Sequence, residues 1–259
     1  MIPILSPFGT VFHYDRKQEK RLYEELCDRI KKTDPDSFEK QFLSSCFITR
    51  EEIRQRLRFE EEAYFRFRQL DARVDGMPLV KVFRRSIDID FSVVSFAKLF
   101  SADRMDAFSE ILMDQDEELS LFRKKNEDLK IESRVEFIYG DEEEGEIRYL
   151  IGVYCDIDTA SLKCLYEKRC RLVDIGNEDL SEAIDYCRIG EGVLLRKAGS
   201  RIFCSIDHVS ISGYISGKNA KELLKYFDED HLILAEVAEK NDEFPYALSI
   251  DVKVCENPF

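Results

Sequence analysis

The sequence predicts an α+β protein whose sheets are antiparallel. Three observations predict it. In several charged segments apolar residues recur every three or four positions, the period of a helix with one buried face. Elsewhere apolar and polar residues alternate, the period of a half-buried strand. Short turns separate successive alternating runs, which joins neighbouring strands as hairpins. With 259 residues, 44% of them hydrophobic, the chain can build one large domain or two of roughly 130 residues.

The elements follow in order. Phe8 to Tyr14 reads as a strand after the punctuation of Pro3, Pro7 and Gly9. Residues 16–32 read as a helix, with Leu22, Leu26 and Ile30 as its apolar stripe and Lys17, Arg21 and Lys32 on the opposite side. Thr33-Asp-Pro35 stops it. Residues 36–62 are helical in composition, and Thr49 followed by Glu52 is a capping-box pattern. From Ala63 the period changes. Residues 63–74, a turn at Asp75-Gly-Met-Pro78, and residues 79–94 read as a long hairpin. Leu79, Phe83, Ile87, Ile89, Phe91 and Val93 should share one face of its second strand. Arg84, Ser86, Asp88, Asp90 and Ser92 should share the other. Residues 101–122 return to helix, with Met105, Phe108, Ile111, Leu112 and Leu119 inward and an acidic surface that includes Asp103, Asp106, Glu110, Asp114 and Asp116. Residues 130–140, the charged tip Asp141 to Glu144, and residues 146–158 make a further hairpin. Residues 159–170 read equally well as an extended connector or a helix.

The stretch 171–254 carries the clearest pattern. It starts with an apolar run, 171–175, and a helical segment, 178–187. The hairpin 189–197 and 201–206 follows, turning at Ala198-Gly-Ser200. A second helix spans 219–227, and strands 231–237 and 246–254 close it.

Composition bounds the function. A net charge of −14 argues against a general nucleic-acid coat, while leaving room for one local basic face. The eight cysteines include no Cys-x-x-Cys pair, and His13, His208 and His231 are scattered, so zinc spacing is absent. The cysteines mostly fall on apolar faces and read as buried thiols of a reducing compartment. No run of 18 apolar residues and no secretory signal is present, which predicts a soluble intracellular protein with no membrane partner.

In "IGEGVLLRKAGSRIFCSI" after a helix, and in "KNAKELLKYF" before "DHLILAEVAEKNDEFPYALSIDV" with Pro245 near the re-entrant hairpin, the chain resembles a domain of a DNA sliding clamp. The resemblance covers 63–259; residues 36–62 depart from it, because clamps place strands there. Its departures from replication clamps resemble a subunit of the checkpoint clamp, the heterotrimeric ring loaded at damaged DNA. The resemblance implies a two-domain sliding-clamp-like fold with antiparallel sheets outside and helices inside. Its parts would be an N-terminal domain over 1–158, a connector over 159–170 and a C-terminal domain over 171–259. It further implies a non-enzymatic nuclear protein of DNA damage checkpoint and repair, without cofactor. Its partners would be double-stranded DNA, other clamp subunits in a ring, the clamp loader and peptide-motif proteins.

Lys218, Lys221 and Lys225 share a helix face, as do Lys17, Arg21 and Lys32. In a clamp such faces meet phosphates without reading bases; on an ordinary amphipathic helix they are simply solvated. Glu178, Glu182 and Asp185 point outward from the other helix, against a uniformly basic lining. Ile157, Leu162, Leu165 and Val254 would form a partner-peptide groove. Asp88 and Asp90 with Arg84 and Lys81 could serve a metal-dependent barrel phosphohydrolase, or be the polar face of a half-solvated sheet. A generic acidic interaction module is the third alternative. Asn257-Pro-Phe259 resembles ligands of endocytic adaptor domains and reads equally as a tail.

Overall fold

The computed structural model describes residues 2–5, 11–14, 16–32, 44–56, 70–89, 94–99, 101–138, 146–173, 184–206, 212–227, 229–241 and 247–259. The protein is mixed α+β, and the strand pairings among these residues are antiparallel. Contacts group the chain into two compact units, one of 1–67, 85–115 and 137–149, the other of 68–84, 116–136 and 150–259.

In the first unit β1 (Ile2–Leu5) pairs with β2 (Val11–Tyr14), Ile2 opposite Tyr14. Helix α1 (Arg16–Lys32) has the bounds its apolar stripe and the Pro35 stop require. Leu26 is buried and Leu22 half-buried. A 3-10 turn (Ser44–Cys46) leads to α2 (Arg50–Arg56), which starts on the capping box. The Glu52 carboxylate accepts from the Thr49 amide at 2.6 Å and from its hydroxyl at 2.7 Å, and the Glu52 amide donates back to Thr49 Oγ1 at 3.3 Å. Helices α3 (Phe96–Leu99) and α4 (Ala102–Asp114) follow. Phe108 and Leu112 face inward as expected, and Phe108 stacks on Phe137 with ring centroids 5.4 Å apart.

The single helix expected over 101–122 is two helices. Helix α4 ends at Asp114, and α5 (Glu117–Lys125) starts afresh. The reason is Asp116, which adopts an extended backbone and accepts from the Leu119 amide at 2.8 Å as an N-cap. It was expected on the acidic surface; capping instead buries it.

Strand β3 (Arg73–Val74) turns into β4 (Met77–Asp88) through Asp75 and Gly76 alone, with φ of 49° and 81°. Two positive φ values define the two-residue hairpin turn that suits strand twist. The turn is thus shorter than Asp75–Pro78, and Met77 and Pro78 are buried in the strand. The predicted alternation holds from Phe83 to Ile89: Phe83 and Ile89 are buried, Arg84, Ser86 and Asp88 exposed. It fails earlier, where Val80, on the same side as Arg84, Ser86 and Asp88, is buried. Strands β5 (Ile131–Ile138) and β6 (Glu146–Cys155) complete a four-stranded sheet of order β3-β4-β6-β5. Tyr154 is fully buried and donates its hydroxyl to the Asp71 carbonyl at 2.9 Å.

Six further strands of the second unit form two sheets. One has the order β11-β12-β7, from β7 (Cys164–Arg171), β11 (His231–Asn241) and β12 (Ala247–Glu256); the other is β10-β9-β8, from β8 (Val193–Ala198), β9 (Arg201–Ile206) and β10 (Ser212–Ile215). Backbone bridges join them at both sides. Val173, just past β7, exchanges hydrogen bonds with Tyr214 of β10, and Gly192, just before β8, bridges Glu236 of β11. The strands therefore enclose one core, in which Ile202, Cys204, Ile250, Val252 and Val254 have no exposed surface. Helix α6 (Gly217–Leu223), continued by a 3-10 turn (Leu224–Tyr226), adds Ala220 and Leu223 to it. Residues 164–170, read as connector or helix, are strand. Of the helix expected over 178–187, residues 184–186 form a helical turn and 174–183 lie outside the described residues.

Candidate nucleic-acid interface

Helix α6 starts after Ser216, where Gly217 takes a φ of 66°, a left-handed conformation that costs glycine little. Helical spacing then separates its residues. Ala220 and Leu223 enter the core, while Lys218, Lys221 and Lys225 are exposed. Glu222 lies among these lysines. Its carboxylate is 3.7 Å from Lys218 Nζ and 3.4 Å from Lys168 Nζ of β7. Lys168 was not singled out in the sequence, because its pairing with this helix spans 54 residues. Among the described residues Lys221 and Lys225 make no ion pair, so the face keeps positive charge despite Glu222.

The neighbouring arginine is already engaged. Arg169 holds both carboxylate oxygens of Asp251, at 2.8 and 2.9 Å, and also contacts Glu239. The Arg169 hydrogen bonds depress the Asp251 pKa below its usual value, against a smaller effect of burial. A guanidinium held this way is not available to a phosphate.

Lys17, Arg21 and Lys32 are exposed along α1. Acids of the same helix intersperse them: Arg21 lies 3.6 Å from Glu25, Lys20 3.7 Å from Glu24 and Lys31 3.6 Å from Asp28. Asp185 is exposed, as expected; Glu178 and Glu182 lie outside the described residues. Lys240 donates to the carbonyls of Ile184 at 2.8 Å and Cys187 at 3.0 Å, a cation on the free carbonyls at a helical end.

Ile157 and Leu162 are half-buried on the segment leading into β7 and Leu165 is half-buried within that strand, but Val254 is fully buried in the core. The Val254 side chain faces inward because β12 alternates and its inner face packs the enclosed core; it offers nothing to a partner. Asp158 turns this segment by accepting from the Ala160 amide at 3.0 Å, and Lys253 ties it to β12 through the Thr159 carbonyl at 3.2 Å. The Asn-Pro-Phe tail is folded down. Asn257 donates to the Val80 carbonyl at 3.4 Å, and the Phe259 ring lies 5.3 Å from that of Phe122. Lys81, Leu121, Phe122, Lys125 and Phe259 line a cavity of about 450 Å³ beside it.

Of the residues considered for phosphate hydrolysis, Lys81 is paired with Asp230 at 3.0 Å, Arg84 and Asp88 are exposed, and Asp90 lies outside the described residues. Among the described residues no group of three His, Cys, Asp or Glu is placed to hold a metal. All eight cysteines are free thiols. Six are buried, Cys27 is half-buried and Cys164 is exposed, so the expectation of buried thiols does not extend to Cys164. Among the described residues no helix is long and apolar enough to cross a membrane.

Comparison with family models, curated proteins and solved structures finds no match to this chain.

Proposed function

We propose that the chain is a non-enzymatic subunit of a ring-shaped DNA clamp of the checkpoint and repair type, acting in the nucleus. In this reading it helps encircle duplex DNA and docks a clamp loader and peptide-motif partners. The observation that carries it is α6: one side seated in a core enclosed by two antiparallel sheets, the other presenting Lys218, Lys221 and Lys225. The order of elements in 164–256, a strand, a helical turn, three antiparallel strands, a helix and two strands, supports the same reading. The role of the lysines is electrostatic. Each phosphate neutralised releases condensed counterions, giving a slope of about −0.9 in log affinity against log salt per contact. Lys168 adjoins this face and shares Glu222 with Lys218.

The test uses the chain assembled with its ring partners on duplex DNA. Replacing Lys218, Lys221 and Lys225 together by Ala should weaken binding equally for every sequence and flatten the salt slope by up to about 3 units. An unchanged slope in a ring that contains the variant removes this face from the DNA path and leaves Lys17, Arg21 and Lys32.

A further inference from the structure

Residues opposite one another in an antiparallel pair alternate between two kinds. One kind exchanges both backbone hydrogen bonds; the other exchanges none and brings its Cα atoms to about 4.5 Å. Strands β7 and β12 place Cys164 opposite Cys255. The Glu256 amide donates to the Lys163 carbonyl at 3.1 Å. That bond joins the residue after Cys255 to the residue before Cys164, so the two cysteines form the closer, non-hydrogen-bonded kind of pair. Opposed residues in such a pair project from the same face of the sheet. Disulfides join Cα atoms about 4.4–6.8 Å apart, a range that includes the usual spacing of such pairs. A register shift just before the pair skips Leu165. Beyond it Cys255 is fully buried while Cys164 is exposed. A Lys163–Glu256 ion pair draws the same two strand ends together.

We propose that Cys164 and Cys255 form a reversible cross-strand disulfide, a redox-sensitive clasp between the start of β7 and the end of β12. The oxidant is a small disulfide such as glutathione disulfide. The exposed Cys164, as thiolate, attacks one of its sulfurs, which forms a mixed disulfide and releases one glutathione thiolate that takes up a proton. Cys255, once deprotonated, attacks Cys164 Sγ and expels the second glutathione. Two protein thiols lose two electrons and two protons; one glutathione disulfide becomes two thiols. Burial pushes the Cys255 thiol up, so the second step is the slower and quickens as pH rises. The clasp closes the chain from 164 to 255 and fixes the segment that carries Ile157 and Leu162. It does not depend on the clamp reading.

The experiment treats the full chain with glutathione disulfide at pH 7 and at pH 9, alkylates the remaining thiols and maps unreduced peptides by mass spectrometry. The expected result is one linked peptide pair through Cys164 and Cys255, a loss of two of the eight titratable thiols, and recovery of both with reductant. The oxidised chain should melt higher by roughly 5–10 °C, because the crosslink restricts the unfolded chain. Cys164→Ser, at an exposed position, should keep the reduced melting point and lose the linked pair. Glutathione that stays on Cys164 at both pH values, or a pair linked through other cysteines, overturns the proposal.

Discussion

Residues 164–256 and the paired segments 44–56 and 94–99 are held by different forces. In the first, two sheets bridged on both sides remove Ile202, Ile250, Val252 and Leu223 from water entirely. In the second, polar groups do much of the joining. Glu52 closes the capping box on Thr49 and accepts from Lys98 Nζ at 2.8 Å; Lys98 also donates to the Phe47 carbonyl at 3.1 Å, and the Ser95 amide to the Cys46 carbonyl at 2.8 Å. Buried Ile48, Ile53 and Leu99 lie among them. Each region is therefore vulnerable to a different change. Apolar burial is insensitive to pH and scales with area; a carboxylate network is lost when its acid takes a proton.

The largest expected effect is in the enclosed core. Ile250→Ala should destabilise the protein by about 3 kcal/mol through lost transfer energy and the cavity left behind, measured by urea unfolding of the 164–256 strands. A loss below about 1 kcal/mol would mean that the two sheets do not share one packed core. Next is Thr49→Ala, which removes the N-cap of α2 and should cost about 1 kcal/mol. The loss should appear in amide exchange of 50–56 and leave 247–256 unchanged.

The pH response should separate the regions further. Burial by itself would raise the Glu52 pKa, but the Lys98 ammonium, Ser95 and Thr49 outweigh it and hold the carboxyl at about 2, from 4.5. A depressed folded pKa gives stability that is fully present above the unfolded value and lost as pH falls from about 4.5 toward 2. Amide protection of α2 should therefore fall across that window before the protection of β12 does. Equal loss in both regions would count against a local role of Glu52, and Glu52→Gln should abolish the local step. The smallest effect belongs to the exposed lysines. Replacing Lys218, Lys221 and Lys225 by Ala should change unfolding free energy by no more than about 0.5 kcal/mol, so that altered DNA binding in that variant reports on charge alone.

Elements whose determinants are local were legible in the sequence. The bounds of α1 follow from a four-residue apolar period and a proline three residues past its last residue, Lys32. The capping box at Thr49 and Glu52 needs only three residues of separation, and the hairpin at Asp75-Gly76 only two. The exposure of Lys218, Lys221 and Lys225 follows from the helical period once Ala220, Leu223 and Leu224 are recognised as apolar.

Other features required partners distant in sequence. Asp116 looked like one more acid on a helix surface; only its backbone conformation made it a buried cap that divides the helix. Residues 164–170 read as connector or helix because Glu167, Lys168 and Arg169 mask the period of two, and their strand state is imposed by pairing with β12, some 80 residues later. Lys168 meets Glu222, and Cys164 faces Cys255, through the same kind of long-range register. Local backbone preference and the inward sides of α1, α4 and α6 depend on neighbours within a few positions, so they can be read along the chain. Which strands pair, which residues oppose one another and which acids are buried follow from contacts between distant segments, because hydrogen-bond register and burial arise only when those segments share one core.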